Sequence, residues 1–78
     1  MKVFESVKKA MIEVMGLSPE DIEMTTDLYE DLDADSLDMS QILIALENEY
    51  SIDLPAEEIG DINTVEDLVQ YVEEKLND

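Results

Sequence analysis

Three stretches of this chain place apolar residues three and four positions apart, and none alternates apolar with polar residues as a half-buried strand does. That period commits the chain to helices. Val3, Val7, Ala10, Met11 and Val14 form the first stripe, widened by Phe4 and Met15, and predict an amphipathic helix over residues 3–15. On its outer side Glu5 and Lys9 stand at the i,i+4 spacing of a favourable surface pair, and Gly16 supplies the left-handed residue on which helices commonly end.

A second helix is expected from Asp35 or Ser36 to Tyr50, where Ser51 and then Pro55 close the pattern. At about 100° per residue, Met39, Ile42, Leu43, Leu46 and Tyr50 share its core face. The same projection puts Leu37 and Ile44 on a different side, beside Ser36, Ser40 and Glu47, so two apolar residues fall outside the stripe. In the last helix Val65, Leu68, Val69, Val72 and Leu76 follow a Thr64–Asp67 pair that resembles a capping box, and Lys75 suits the final turn. Short helical turns are expected at Ser18-Pro19-Glu20-Asp21 and between Pro55 and Gly60. Between Gly16 and Asp35 the apolar residues Leu17, Ile22, Met24, Leu28 and Leu32 are too irregular for one helix but frequent enough to pin a loop. The expected fold class is all-α: a small bundle of three main helices plus one short helix, with a long loop between the first two, in a single domain over residues 1–78.

Charge narrows the function. Four Lys, with no Arg and no His, face 22 Asp plus Glu, for a net charge of −18. Residues 1–17 hold three of the Lys and two acids; residues 18–78 hold one Lys and 20 acids. Such a balance argues against nucleic acid as a partner, and self-repulsion opposes compaction. At 45% hydrophobic residues the chain is nonetheless too apolar for a merely solvating acidic tail. Without Cys there are no disulfides, thiolate nucleophiles or Cys-based zinc sites; without His there is no Ser-His-Asp catalysis; without Arg there is no bidentate clamp. An enzyme would be poorly equipped. The longest apolar run, Ile42–Leu46, is far short of a membrane span, and Met1-Lys2-Val3 leads into charged residues rather than a signal-peptide core. A soluble, cytoplasmic monomer is expected.

Three readings compete for the segment around Ser36. Asp31-Leu32-Asp33-Ala34-Asp35 opens like a calcium-binding EF-hand loop, but Ser36 stands where that loop needs Gly and Ile42 where it needs a bidentate Glu. Weak divalent binding is all that this acidic cluster then offers, and no metal site is expected. Asp35-Ser36 also reads as an ordinary helix start, since both residue types are favoured caps. That reading leaves unexplained the long acidic loop before it and Leu37 with Ile44 outside the core stripe. In the third reading Ser36 is the attachment point for a phosphate-containing prosthetic group: free amides and the helix dipole favour a phosphodiester there, while Asp35 and Asp38 oppose it. No base stands beside the serine in sequence, so a separate enzyme would have to make the bond.

Over essentially its whole length the sequence resembles the acyl carrier protein family. Asp31-Leu32-Asp33-Ala34-Asp35-Ser36-Leu37-Asp38 looks like the family's attachment motif, and Leu46-Glu47-Asn48-Glu49-Tyr50, Ile52-Asp53-Leu54-Pro55 and Ile62-Asn63-Thr64-Val65 match later segments in order and spacing. The resemblance implies an acyl-carrier-like helical bundle in which Ser36 bears a 4'-phosphopantetheine arm, transferred from coenzyme A by a magnesium-dependent carrier protein synthase, a phosphopantetheinyl transferase. The arm brings its own sulfur and would hold growing acyl chains as thioesters for the enzymes of type II fatty acid synthesis. By the same resemblance Asp35, Leu37, Asp38, Ile44 and Glu47 form the face read by basic patches on partner enzymes, and acyl chains shelter between helices. Leu46, Ile62, Leu68 and Val72 are the candidate lining residues, each of which also belongs to an ordinary core stripe. Departures lie at Asp33, where the family usually has Gly, and at Ser40, Gln41 and Ile44, where it often has an apolar residue, an acid and Met. Alternatives are a polyketide, peptidyl or D-alanyl carrier and, in a different class, a small acidic calcium-binding or inhibitory protein with no covalent arm.

Overall fold

The structure, a computed structural model, describes residues 2–77; Met1, at the head of the chain, and Asp78 lie outside the described residues. Three helices carry the architecture: α1 (Lys2–Met15), α2 (Ser36–Tyr50) and α3 (Val65–Asn77). α1 packs against both of the others, so its apolar stripe is the shared inner surface. Val7, Ala10 and Met11 of α1, Met39, Ile42, Leu43 and Leu46 of α2, and Val65, Leu68, Val69 and Val72 of α3 are buried in one cluster. Removing these side chains from water supplies the main drive to fold, about 1.5–3 kcal/mol for each large one. No helix among the described residues is long and apolar enough to cross a membrane.

Several local expectations are refined. The short fourth helix is a three-residue 3-10 turn, Ala56–Glu58, closed at Ile59 before Gly60 is reached; a matching turn, Pro19–Asp21, follows α1. Leu76 leaves the α3 stripe and is exposed, because it lies in the last turn, beyond the part of the helix that meets the core. It shares an open groove with Lys2, Val3, Glu49 and Tyr50, so the described ends of the chain meet where α2 finishes. Glu5 and Lys9 do not come within ion-pair distance; among the described residues that contact is Lys75 Nζ to Glu58 Oε1 at 2.9 Å. An exposed i,i+4 pair gains only about 0.3–0.5 kcal/mol and must hold two long side chains still. Lys8 lies instead over the Phe4 ring, 5.6 Å from its centre.

Gly16 takes φ 69° at the end of α1, where its N–H donates to Ile12 O at 2.9 Å. The long loop that follows is pinned by buried Ile22 and Leu28, with Leu17, Met24 and Leu32 packed against the core. It is also stitched to the approach and first turn of α3: Leu28 N donates to Asn63 O at 2.7 Å, Val65 N to Thr26 O at 3.0 Å and Glu66 N to Met24 O at 2.9 Å. An isolated bridge pairs Asp27 with Thr64. At the head of α3, Asp67 Oδ2 accepts from Asn63 N and Thr64 N at 3.0 and 3.2 Å, and Asp67 N donates to Thr64 Oγ1 at 3.2 Å. The short Asp side chain therefore completes the capping box and takes a second amide as well.

Candidate functional site

α2 opens on a reciprocal pair of aspartates. Asp35, in an extended conformation, is the N-cap: its Oδ1 accepts from Asp38 N at 2.8 Å, while Asp35 N donates to Asp38 Oδ2 at 3.2 Å. The chain reaches this cap through Asp33 at φ 57° and buried Ala34, whose N–H donates to Leu28 O at 3.0 Å. Asp33 thus occupies the left-handed conformation that glycine adopts most easily and that Asp tolerates better than most residues.

With Asp35 as the cap, the helix-start reading accounts for Asp35 and leaves Ser36 without that role. Ser36 is the first residue of α2, its side chain is exposed, and its hydroxyl makes no hydrogen bond to a described residue. The first amides of a helix have no intrahelical acceptor. Here the Asp38 amide is taken by Asp35, which leaves those of Ser36 and Leu37 beside the serine oxygen. An attached phosphodiester would therefore find two amide donors and the positive end of the dipole, opposed by two carboxylates already turned toward backbone. The residues present fit such a group.

Beside Ser36 runs a groove of about 400 Å3, with Tyr29, Met39 and Ser40 on one side and Ala56, Ile59 and Gly60 on the other. Ser40 also lines a neighbouring groove with Leu43, Ile44, Glu47, Leu54 and Pro55. Leu46, Ile62, Leu68 and Val72 are sealed in the core, and none of the four lines the groove at Ser36. Ser40 was legible beside Ser36 from the helical projection, whereas Met39, read there as a core residue, also reaches the groove wall. Ile59 and Gly60 reach the groove only through tertiary folding.

Along the outer side of α2, Leu37 is 64% and Ile44 54% exposed, and Asp35 is exposed while Asp38 and Glu47 are half-buried. Glu47 also braces the fold, since its Oε2 accepts from Leu54 N at 2.7 Å and ties the 51–55 connection to α2. Across that connection Tyr71 OH donates to Glu58 Oε1 at 2.9 Å and approaches Pro55 O at 3.4 Å. Burial, then the bond to Glu58, pushes the Tyr71 hydroxyl well above its ordinary value, while Lys75 and Tyr71 hold the Glu58 carboxyl below its own. Asp67 is likewise lowered, by the amides of Asn63 and Thr64.

Among the described residues no group of three or more Asp or Glu is placed to hold a metal ion. The loop acids are turned to backbone: Asp31 Oδ2 accepts from Asp27 N at 2.8 Å, and Asp27 Oδ1 accepts from Tyr29 N and Glu30 N at 2.9 and 2.8 Å.

Residues 5–72 match the family described as "Phosphopantetheine attachment site", a span that includes all of α2. The acyl carrier protein of Wolinella succinogenes is 38% identical over 73 residues, 94% of this chain and 96% of its own length. That of Helicobacter hepaticus is 41% identical over the same number of residues and shares of length, and that of Chlamydia trachomatis serovar D is 31% identical over 77 residues, 99% of this chain and 100% of its own. Near-complete coverage, three helices and a phosphopantetheine attachment match lead to one conclusion: the chain belongs to the acyl carrier protein family.

Proposed function

We propose that Ser36 is the attachment residue and that the whole chain, residues 1–78, works as one monomeric carrier unit in the cytoplasm, delivering acyl groups to the enzymes of fatty acid synthesis. The observation that carries this reading is the exposed, unbonded Ser36 hydroxyl at the first position of α2, with the neighbouring aspartate doing the capping. In the attachment step the Ser36 oxygen attacks the phosphorus next to pantetheine. The diphosphate bond of coenzyme A breaks, its nucleotide half leaves, and the hydroxyl proton passes to a base on the carrier protein synthase. The attached arm supplies the thiol on which acyl groups ride.

Asp35, Leu37, Asp38, Ile44 and Glu47 form the docking face. Its acids draw basic partner surfaces at rates that fall with salt, while the two exposed apolar side chains give a small contact that releases easily. Asp38 and Glu47 contribute as fixed charges, because each already accepts a backbone hydrogen bond. The groove at Ser36 shelters a short acyl chain, and each methylene hidden from water gains about 0.8 kcal/mol. A longer chain reaches Leu46, Ile62, Leu68 and Val72 only by parting the core.

Intact-mass analysis after incubation with coenzyme A, magnesium and a carrier protein synthase tests the assignment. One phosphopantetheine adduct on the wild type and none on Ser36→Ala is expected; an unmodified wild type would overturn it.

A further inference from the structure

We propose that Tyr71, Glu58 and Lys75 form a latch that sets how far the 54–60 segment stands off from α2, and thereby how long an acyl chain the groove at Ser36 admits. The inference rests on the carrier reading for its cargo and on geometry for its parts. The segment supplies Ala56, Ile59 and Gly60 to the wall facing Ser36, and Leu54, Pro55 and Ala56 to the adjoining groove. Its own structure is weak: a three-residue 3-10 turn held by Glu58 N to Pro55 O at 3.1 Å and Ile59 N to Ala56 O at 3.3 Å. Leu54 and Ile62 anchor its ends in the core, while Ala56, Glu57 and Glu58 are exposed.

Two tethers fix where this wall stands. On the α2 side, Glu47 holds Leu54 N. On the α3 side, Tyr71 OH and Lys75 Nζ both meet Glu58 Oε1 at 2.9 Å, Tyr71 OH also lies 3.4 Å from Pro55 O, and Lys75 Nζ sits 5.7 Å from the Tyr71 ring centre. The α3 tether fixes the turn to α3, as Glu47 fixes Leu54 to α2, so the wall is restrained at both ends. Releasing the α3 tether lowers the work of moving the wall, so chains too long for the resting groove gain admission. The segment then becomes a positioning element for cargo, with Tyr71 and Glu58 as its positioning residues.

Tyr71→Phe keeps the packed ring and removes only the hydroxyl. Amide hydrogen exchange on the unmodified protein reads the latch independently of any arm. In Tyr71→Phe and Glu58→Ala the Glu58 and Ile59 amides should exchange about five-fold faster, the effect of one lost hydrogen bond on a local opening. The Leu43 and Leu46 amides of α2 should be unchanged, and Glu58→Gln, which still accepts from Tyr71, should fall between. Cargo selection is read as the rate at which hydroxylamine cleaves acetyl, hexanoyl and decanoyl thioesters on the loaded protein. Tyr71→Phe should slow cleavage of decanoyl relative to wild type and leave acetyl unaltered. Unchanged exchange at residues 58 and 59 would overturn the latch. Faster exchange with the same dependence on chain length would overturn its control of cargo. Failure to load Ser36 shows by mass and overturns the carrier reading together with the cargo role, leaving the latch to be judged by exchange.

Discussion

Asp33 and Ser51 are held at φ 57° and 56°, in the left-handed region where a Cβ costs about 1–2 kcal/mol. One leads into α2 and the other caps its end, where Ser51 N donates to Glu47 O at 2.8 Å. Replacing either with Gly relieves that strain but adds freedom to the unfolded chain, so a net gain of up to about 1 kcal/mol is expected in urea denaturation. Asp33→Val should lose about 1–2 kcal/mol, because a β-branched side chain has no comfortable left-handed rotamer. Asp35 separates two roles in the same way. Asp35→Ala should cost about 1 kcal/mol by removing the cap, whereas Asp35→Asn keeps the cap and removes only the charge proposed for docking. If Asp35→Asn binds partner enzymes as tightly as wild type at low salt, that residue's part in docking is wrong.

At the scale of elements, the three helices were legible because their information is local: stripes of apolar residues, Gly16 at one end, Thr64 and Asp67 at another. The pairings that set the grooves were not. Glu47 with Leu54, Tyr71 with Glu58, the Leu28 amide with Asn63 O, and the Val65 and Glu66 amides with Thr26 O and Met24 O join residues through tertiary folding, which a periodicity of 3.6 residues does not register. Tyr50 OH donating to Ser6 Oγ at 2.7 Å, and Ser6 Oγ to Glu49 Oε2 at 2.6 Å, tie α1 to α2 in the same long-range way. The start of α2 at Ser36 was legible from its cap residues; the groove beside it was only partly legible, through Ser40 on the same side of α2 but not through Met39, read as core, or Ile59.

The head of α3 carries a pH dependence of known sign. Asp67 is depressed in the folded state, so its contribution is fully present above the ordinary carboxyl value of 3.8 and is lost as pH falls through the lower folded value. Carbon-detected NMR titration should place its midpoint below 3.8, and in Asp67→Asn the loss of stability on that acid limb should be smaller.

For the whole molecule the dominant electrostatic fact is a charge of −18 on a body measuring 30 × 25 × 19 Å. Like charges at such spacing lie within reach of one another at low ionic strength, where the Debye length is about 30 Å, and are largely screened at about 8 Å under physiological salt. Melting temperature at neutral pH should therefore rise with sodium chloride or magnesium, by on the order of 5 °C for each kcal/mol of repulsion relieved. No rise would show that self-repulsion is a minor part of stability. Acidification from neutrality toward the sequence isoelectric point near 4.1 should also stabilise at first, by discharging the surface, before loss of the carboxylate caps reverses the trend.

Lys2, Val3 and Leu76 share one groove with Tyr50, while Ser36 stands at the far end of the 15-residue α2, about 21 Å from Tyr50 at the usual rise per residue. A fluorescent protein, an affinity handle or an immobilising linker joined to either terminus would project from the pole opposite the serine. Tethered in this way the molecule would still hold the exposed Ser36 hydroxyl, the proposed loading site, turned away from the support and open to a modifying enzyme.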